Sequence, residues 1–112
     1  MAHVRKLSNE YVAAFAARDL EKVGSFFAEK FELTDPEVTA LTPKNEVLRY
    51  IKSLFDAHNK LKFDAHEIMI DGNKSVIHFT LSLDALVLDG VDIITWEADK
   101  MIKMHAYLTP RE

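Results

Sequence analysis

Apolar positions recur at helical spacing in the first half of the chain and alternate with polar ones in the second half. Val4, Leu7, Tyr11, Ala14 and Phe15 share one stripe and predict a helix over residues 3–18. Asp19 has the residue type of an N-cap, and it predicts a second short helix with Leu20, Val23, Phe26 and Phe27 turned inward. Phe31-Glu32-Leu33-Thr34 alternates and predicts a short strand that ends at Asp35-Pro36. Thr42-Pro43 predicts the start of a third helix, a cap with proline at the first helical position. That helix carries Val47, Leu48, Ile51, Leu54 and Phe55 on one side and is expected to end near His58-Asn59. A strand from Lys62 to Asp71 follows, then a Gly72-Asn73 turn and a strand from Ser75 to Leu88. Asp89-Gly90 predicts a further turn, before a strand through Asp92 and a last one from Lys100 to Leu108.

Helices first and strands afterwards, in blocks, predict an α+β fold. Helices laid across one face of a curved antiparallel meander would leave a cone-like cavity between the two layers. Asp92 stands out against this pattern. It lies inside Gly90-Val91-Asp92-Ile93-Ile94-Thr95-Trp96, a run rich in β-branched residues. Alternation puts Asp92, Ile94 and Trp96 on one face and Val91, Ile93 and Thr95 on the other. A carboxyl group therefore points at an apolar surface whichever face is the core. A buried carboxylate without a partner costs several kcal/mol, so such a group pairs or keeps its proton. A neutral carboxylic acid can donate a hydrogen bond. The plainer alternative is a structural or solvated Asp on an edge strand.

Composition narrows the function classes. The chain of 112 residues is 48% hydrophobic, enough for one small domain, residues 1–112, with its own core. The absence of a long apolar run excludes a spanning helix, and the amino-terminal residues run into a polar helical pattern instead of a signal segment. Zero cysteines exclude thiolate chemistry and suit a cytoplasmic location. The formal net charge of −4, with no basic cluster, argues against nucleic acid and membrane as partners. His58 and His66 are too scattered for a metal site, and no cofactor motif is present.

The stretch from Tyr11-Val12-Ala13-Ala14-Phe15 through Asp19-Leu20 and Phe27-Ala28 to Asp35-Pro36 resembles the ketosteroid isomerase branch of the NTF2-like, or SnoaL-like, superfamily. The strands Gly90 to Trp96 and Lys100 to Tyr107 resemble the two closing strands of that superfamily. The resemblance implies an NTF2-like cone of three amino-terminal helices on a curved, mostly antiparallel sheet that encloses a pocket. It implies Asp35 as the base that shuttles a proton, with Tyr11 and a protonated Asp92 donating to the enolate oxygen. The expected pocket wall is Phe15, Ile51, Phe79, Ile94, Trp96, Met104, Ala106 and Leu108, around a small hydrophobic molecule. Relatives commonly dimerise through their sheets. A homodimer is therefore expected through an outer face bearing Thr95, Met101, Tyr107, His78, His105 and Lys103. Two departures from the family pattern, a shorter hairpin before Asp92 and Ile94 and Leu108 in place of aromatic residues, argue against a flat four-ring substrate.

The residues themselves allow simpler roles. Tyr11, flanked by Leu7 and Phe15, can be core filler, and Asp35 before proline can end a strand and satisfy local amides. The functional case rests on the set, since enolate formation needs a base at carbon and donors at oxygen. Glu67 is a reserve candidate if it shares a face with Phe63, Ala65 and Met69. Met104, Ala106 and Leu108 would line the cavity together with Ile102. Besides cofactor-independent isomerisation, two alternatives stand: a noncatalytic ligand-binding or association module, and a SnoaL-like polyketide cyclase.

Overall fold

The computed structural model describes residues 3–111; Met1, Ala2 and Glu112, which the domain expectation includes, lie outside it. Helix α1 spans Val4–Ala16, α2 Leu20–Ser25 and α3 Lys44–Ala57; strand β1 spans Phe27–Thr34, β2 Leu61–Asp71, β3 Lys74–Leu83, β4 Leu86–Glu97 and β5 Lys100–Pro110. The strands form one curved, open sheet in the order β1-β5-β4-β3-β2. The four long strands are an antiparallel meander, and β1 joins its end parallel to β5. The helices cover one face, so the α+β cone expected from the pattern is present. The core lies between the layers, around Phe15, Phe31, Val47, Phe79, Ile94 and Trp96.

Local chemistry explains most element boundaries. Asp19 caps α2 as expected, its side chain accepting from the Lys22 N–H at 3.0 Å. The start of α3 differs from expectation. Pro43 itself is the N-cap, in extended conformation, and its carbonyl accepts from the Glu46 and Val47 N–H groups. The Thr42 hydroxyl cannot cap because it is turned to the Lys30 carbonyl of β1. Strand β1 also starts earlier than its alternation suggests, at Phe27, which leaves the end of α2 for the sheet.

Two further expectations fail for instructive reasons. Asp89-Gly90 does not turn; it lies inside β4, and the chain reverses instead at Asp84-Ala85. Asp84 takes a left-handed φ of 56° there, and its carboxylate accepts from the Lys60 N–H at 2.9 Å. Gly90 is needed for space. A Cβ on it would lie 2.6 Å from the Tyr107 carbonyl oxygen and 2.8 Å from Phe79 Cζ. Register irregularities supply the second failure, since each moves side chains to the other face. One at His66 turns Glu67 and Met69 outward, opposite His78 and Val76, while Phe63 and Ala65 stay inside. Another between Thr95 and Trp96 buries Met101 completely, so Met101 is not on the outer face.

Candidate functional site

One cavity of about 80 Å³ opens between the helices and the sheet, and it collects Tyr11, Asp35 and Asp92 on its wall. Each comes from a different element. Tyr11 is on the inward stripe of α1 and is 3% exposed. Asp35 follows the last residue of β1, where the chain leaves the sheet before Pro36. Asp92 sits mid-strand in β4, paired with Ile77 and Ala106, and is 5% exposed. Phe15, Phe63, Phe79, Leu81 and Met104 line the cavity together with Ile51, Leu54 and Leu108. The half-buried residues Asp35, Tyr50, Leu54 and Leu108 mark the side nearer solvent.

The expected wall is mostly present. Phe15, Ile51, Phe79, Met104, Ala106 and Leu108 all line it. Ile94 and Trp96 do not. They are buried in the core further along β4, and the Trp96 indole N–H donates to Ser75 Oγ at 3.0 Å. A buried indole needs an acceptor, and Ser75 supplies one away from the cavity. Ile102 is not on the wall either, because the irregularity at the start of β5 breaks the alternation it shares with Met104. Glu67, facing outward, takes no part.

The electrostatics of the three groups differ because their surroundings differ. Burial pushes the Asp92 carboxyl up to about 7, and the nearby Asp35 charge adds to the effect. Burial pushes the Tyr11 phenol well above its ordinary range, with the Asp92 charge again adding. Tyr11 therefore holds its proton through neutrality and Asp92 holds its own below about pH 7, and in those forms each can act as a donor. Asp35 is set up differently. Its Oδ1 accepts from the Glu37 and Val38 N–H groups at 2.8 and 3.0 Å, the turn chemistry expected of an Asp before proline. Its Oδ2 accepts one bond, from the Tyr50 hydroxyl at 2.7 Å, and keeps a lone pair for a further proton.

Tyr50 is the member that sequence reasoning missed. It lines the cavity from α3, and its phenol is pushed far up by burial and by the Asp35 bond. Its signal was its phase, three residues after Val47 and four before Leu54 on the inward stripe. Among the described residues, no group of three or more His, Cys, Asp or Glu could hold a metal ion. Among them too, no helix is long and apolar enough to cross a membrane.

The comparisons with known proteins agree with this architecture. Residues 9–105 match the SnoaL-like domain. No curated protein matches the sequence. A candidate ketosteroid isomerase from Kribbella flavida superposes with a TM-score of 0.85 at 16% identity, over 97% of this chain and 79% of that one. A SnoaL-like protein of unknown function from Burkholderia thailandensis gives a TM-score of 0.83 at 19% identity, over 95% and 94% of the two chains. A candidate SnoaL-like polyketide cyclase from Shewanella denitrificans gives 0.80 at 10% identity, over 94% and 89%.

Proposed function

Because the chain belongs to the SnoaL-like domain family, we propose that its cavity transfers a proton beside the carbonyl of a small apolar compound, without a cofactor. The observation that carries this reading is the convergence of Tyr11, Asp35 and Asp92 on one cavity wall, with Asp92 kept protonated toward neutral pH. Asp35 Oδ2 takes the proton from the carbon next to the carbonyl. Tyr11 and Asp92 donate hydrogen bonds to the oxygen as it gains charge, which is where such donors lower a barrier most. The protonated Asp35 then returns its proton to a carbon further along the conjugated system, so the product is an isomer.

The cavity volume selects among substrates. At about 15 Å³ for each water-sized group, 80 Å³ takes on the order of five heavy atoms. A four-ring substrate or a polyketide does not fit without the aromatic wall moving, so the cyclase alternative is the weaker one. The reading also includes a cytoplasmic protein that pairs with a second copy through the outer face of the sheet.

The test uses a short β,γ-unsaturated ketone and follows the conjugated product by its ultraviolet absorbance. Asp35→Asn is expected to remove turnover while a small phenol still binds. Asp92→Asn is expected to weaken phenol binding. Unchanged turnover in Asp35→Asn would sink the proposal, and phenol failing to bind the unmodified protein would leave the binding or association module as the better reading.

A further inference from the structure

The polar side chains on the cavity wall are all acids: two carboxyl groups, Asp35 and Asp92, and two phenols, Tyr11 and Tyr50. Among the described residues no Lys, Arg or His reaches that wall. The two carboxyl groups are close enough for the charge of Asp35 to act on Asp92. The remaining surface is rich in aromatic rings. Phe63 lies between Phe15 and Phe79, with ring centroids 5.0 and 4.8 Å away, and Phe27 stacks on Phe31 at 4.1 Å. Ring faces carry negative potential, so they favour a cation within about 6 Å, above all one whose methyl groups shed water easily.

Size, charge and surface therefore point the same way. A neutral guest would bring no counter-charge to Asp35, or to Asp92 once it ionises, and an anion would be repelled. A cation offsets the charge of Asp35, and that of Asp92 as well once it has lost its proton. Five heavy atoms is the size of tetramethylammonium. We propose that this cavity takes a small alkylammonium ion, its charge between Asp35 and Asp92 and its methyl groups against the Phe15, Phe63 and Phe79 rings. This site use shares the cavity with the isomerase reading but not its chemistry. It is read by binding alone, and it stands or falls without any turnover.

The ion competes with a proton for Asp92. The titratable groups that face Asp92 across the cavity are Tyr11 from α1, Asp35 from the loop after β1 and Tyr50 from α3. The wall residues of β2, β3 and β5 are Phe63, Phe79 and Leu81, and Met104, Ala106 and Leu108, none of which titrates. Cation binding is therefore set by Asp92 over the neutral range.

Tetramethylammonium chloride is the probe, because its charge is fixed and any pH dependence belongs to the protein. The matched controls are tert-butanol, similar in shape but neutral, and sodium chloride at equal ionic strength. Binding is followed by the Met104 methyl resonance of the unmodified protein. The ion is expected to shift that resonance, to bind at least tenfold more tightly than tert-butanol at pH 8, and to tighten about tenfold from pH 6 to pH 8 as Asp92 ionises. Asp92→Asn is expected to abolish the pH dependence. Equal affinity for tert-butanol, a shift reproduced by sodium chloride, or affinity independent of pH in the unmodified protein would each overturn the proposal. The last three measurements need no variant, so they hold even if Asp92→Asn does not fold.

Discussion

The Tyr50 hydroxyl donates a 2.7 Å hydrogen bond to Oδ2 of Asp35, tying helix α3 to the turn after β1. The other carboxylate oxygen holds that turn through the N–H groups of Glu37 and Val38. Asp35 is thus aimed into the cavity by bonds on both of its oxygens. A hydrogen bond to a charged group is worth roughly 1.5–3 kcal/mol when buried. Both partners are half-buried, so water screening reduces this. A double-mutant cycle of Tyr50→Phe and Asp35→Ala at neutral pH should return a coupling of about 1 kcal/mol in urea unfolding. Additive single effects would show that the bond does not hold the turn.

Gly90 marks a close backbone approach between β4 and β5, beside the cavity-wall residues Phe79 and Leu108. Replacing it with alanine places a methyl group 2.6 Å from the Tyr107 carbonyl oxygen, which belongs to the backbone of the neighbouring strand and cannot swing away. The Leu108 and Phe79 side chains can give, but only by moving into the cavity they line. Overpacking of this kind costs about 1–3 kcal/mol. Gly90→Ala should lower the melting temperature by roughly 5–15 °C and reduce binding of any cavity ligand. A melting temperature within a degree of the unmodified protein would show that β4 and β5 are not packed this closely.

The helices and the meander were legible because their apolar spacing is set by burial on one face, and that is what periodicity records. The phase of Asp92 was legible for the same reason. Asp89-Gly90 misled because a turn signature is local, whereas this glycine answers to a contact with β5 that is distant in sequence. The true reversal at Asp84-Ala85 carries no glycine and so gave no strong signal. The inward turn of Met101 and the outward turn of Glu67 depend on strand irregularities that shift alternation by one residue, and nothing in the residues at those points announces them. Tyr50 was in phase with the α3 stripe, but its bond to Asp35 joins positions brought together only by the folded loop.

The outer face of the sheet bears a strip of apolar side chains that the fold itself leaves uncovered. Met69, Val76 and Ile93 lie side by side across β2, β3 and β4, with Val91 and Tyr107 in the adjacent row. Met69, Ile93 and Tyr107 are 47%, 36% and 55% exposed. His78 and His105 border the strip, and the His105 and Tyr107 rings stack at 4.3 Å. A contiguous strip of this kind is expected to serve as a site of association. Sedimentation at tens of micromolar should show a dimer, and Ile93→Lys should weaken it by on the order of thirtyfold without unfolding the exposed position. A monomer at that concentration would refute the assembly.

Asp92 should leave a signature in the pH dependence of stability. Its carboxyl is raised from 3.8 to about 7 in the folded state, chiefly by burial. Between those values the folded chain keeps a proton that the unfolded chain has lost. Stability contributed by this group is therefore fully present below about pH 4, falls as pH rises, and is gone above about pH 7. Three units at about 1.4 kcal/mol each set a scale on the order of 4 kcal/mol. Asn has a similar shape, stays neutral and lacks this slope. Urea unfolding of the unmodified protein and of Asp92→Asn from pH 4 to pH 8 should give two curves that diverge, the variant gaining relative stability by up to that amount and the gap levelling off above pH 7. Because every other titrating group is common to both proteins, the difference isolates Asp92. Parallel curves would mean that Asp92 ionises freely in the folded state, and both the donor role at the enolate oxygen and the pH-dependent capture of a cation would then lose their basis.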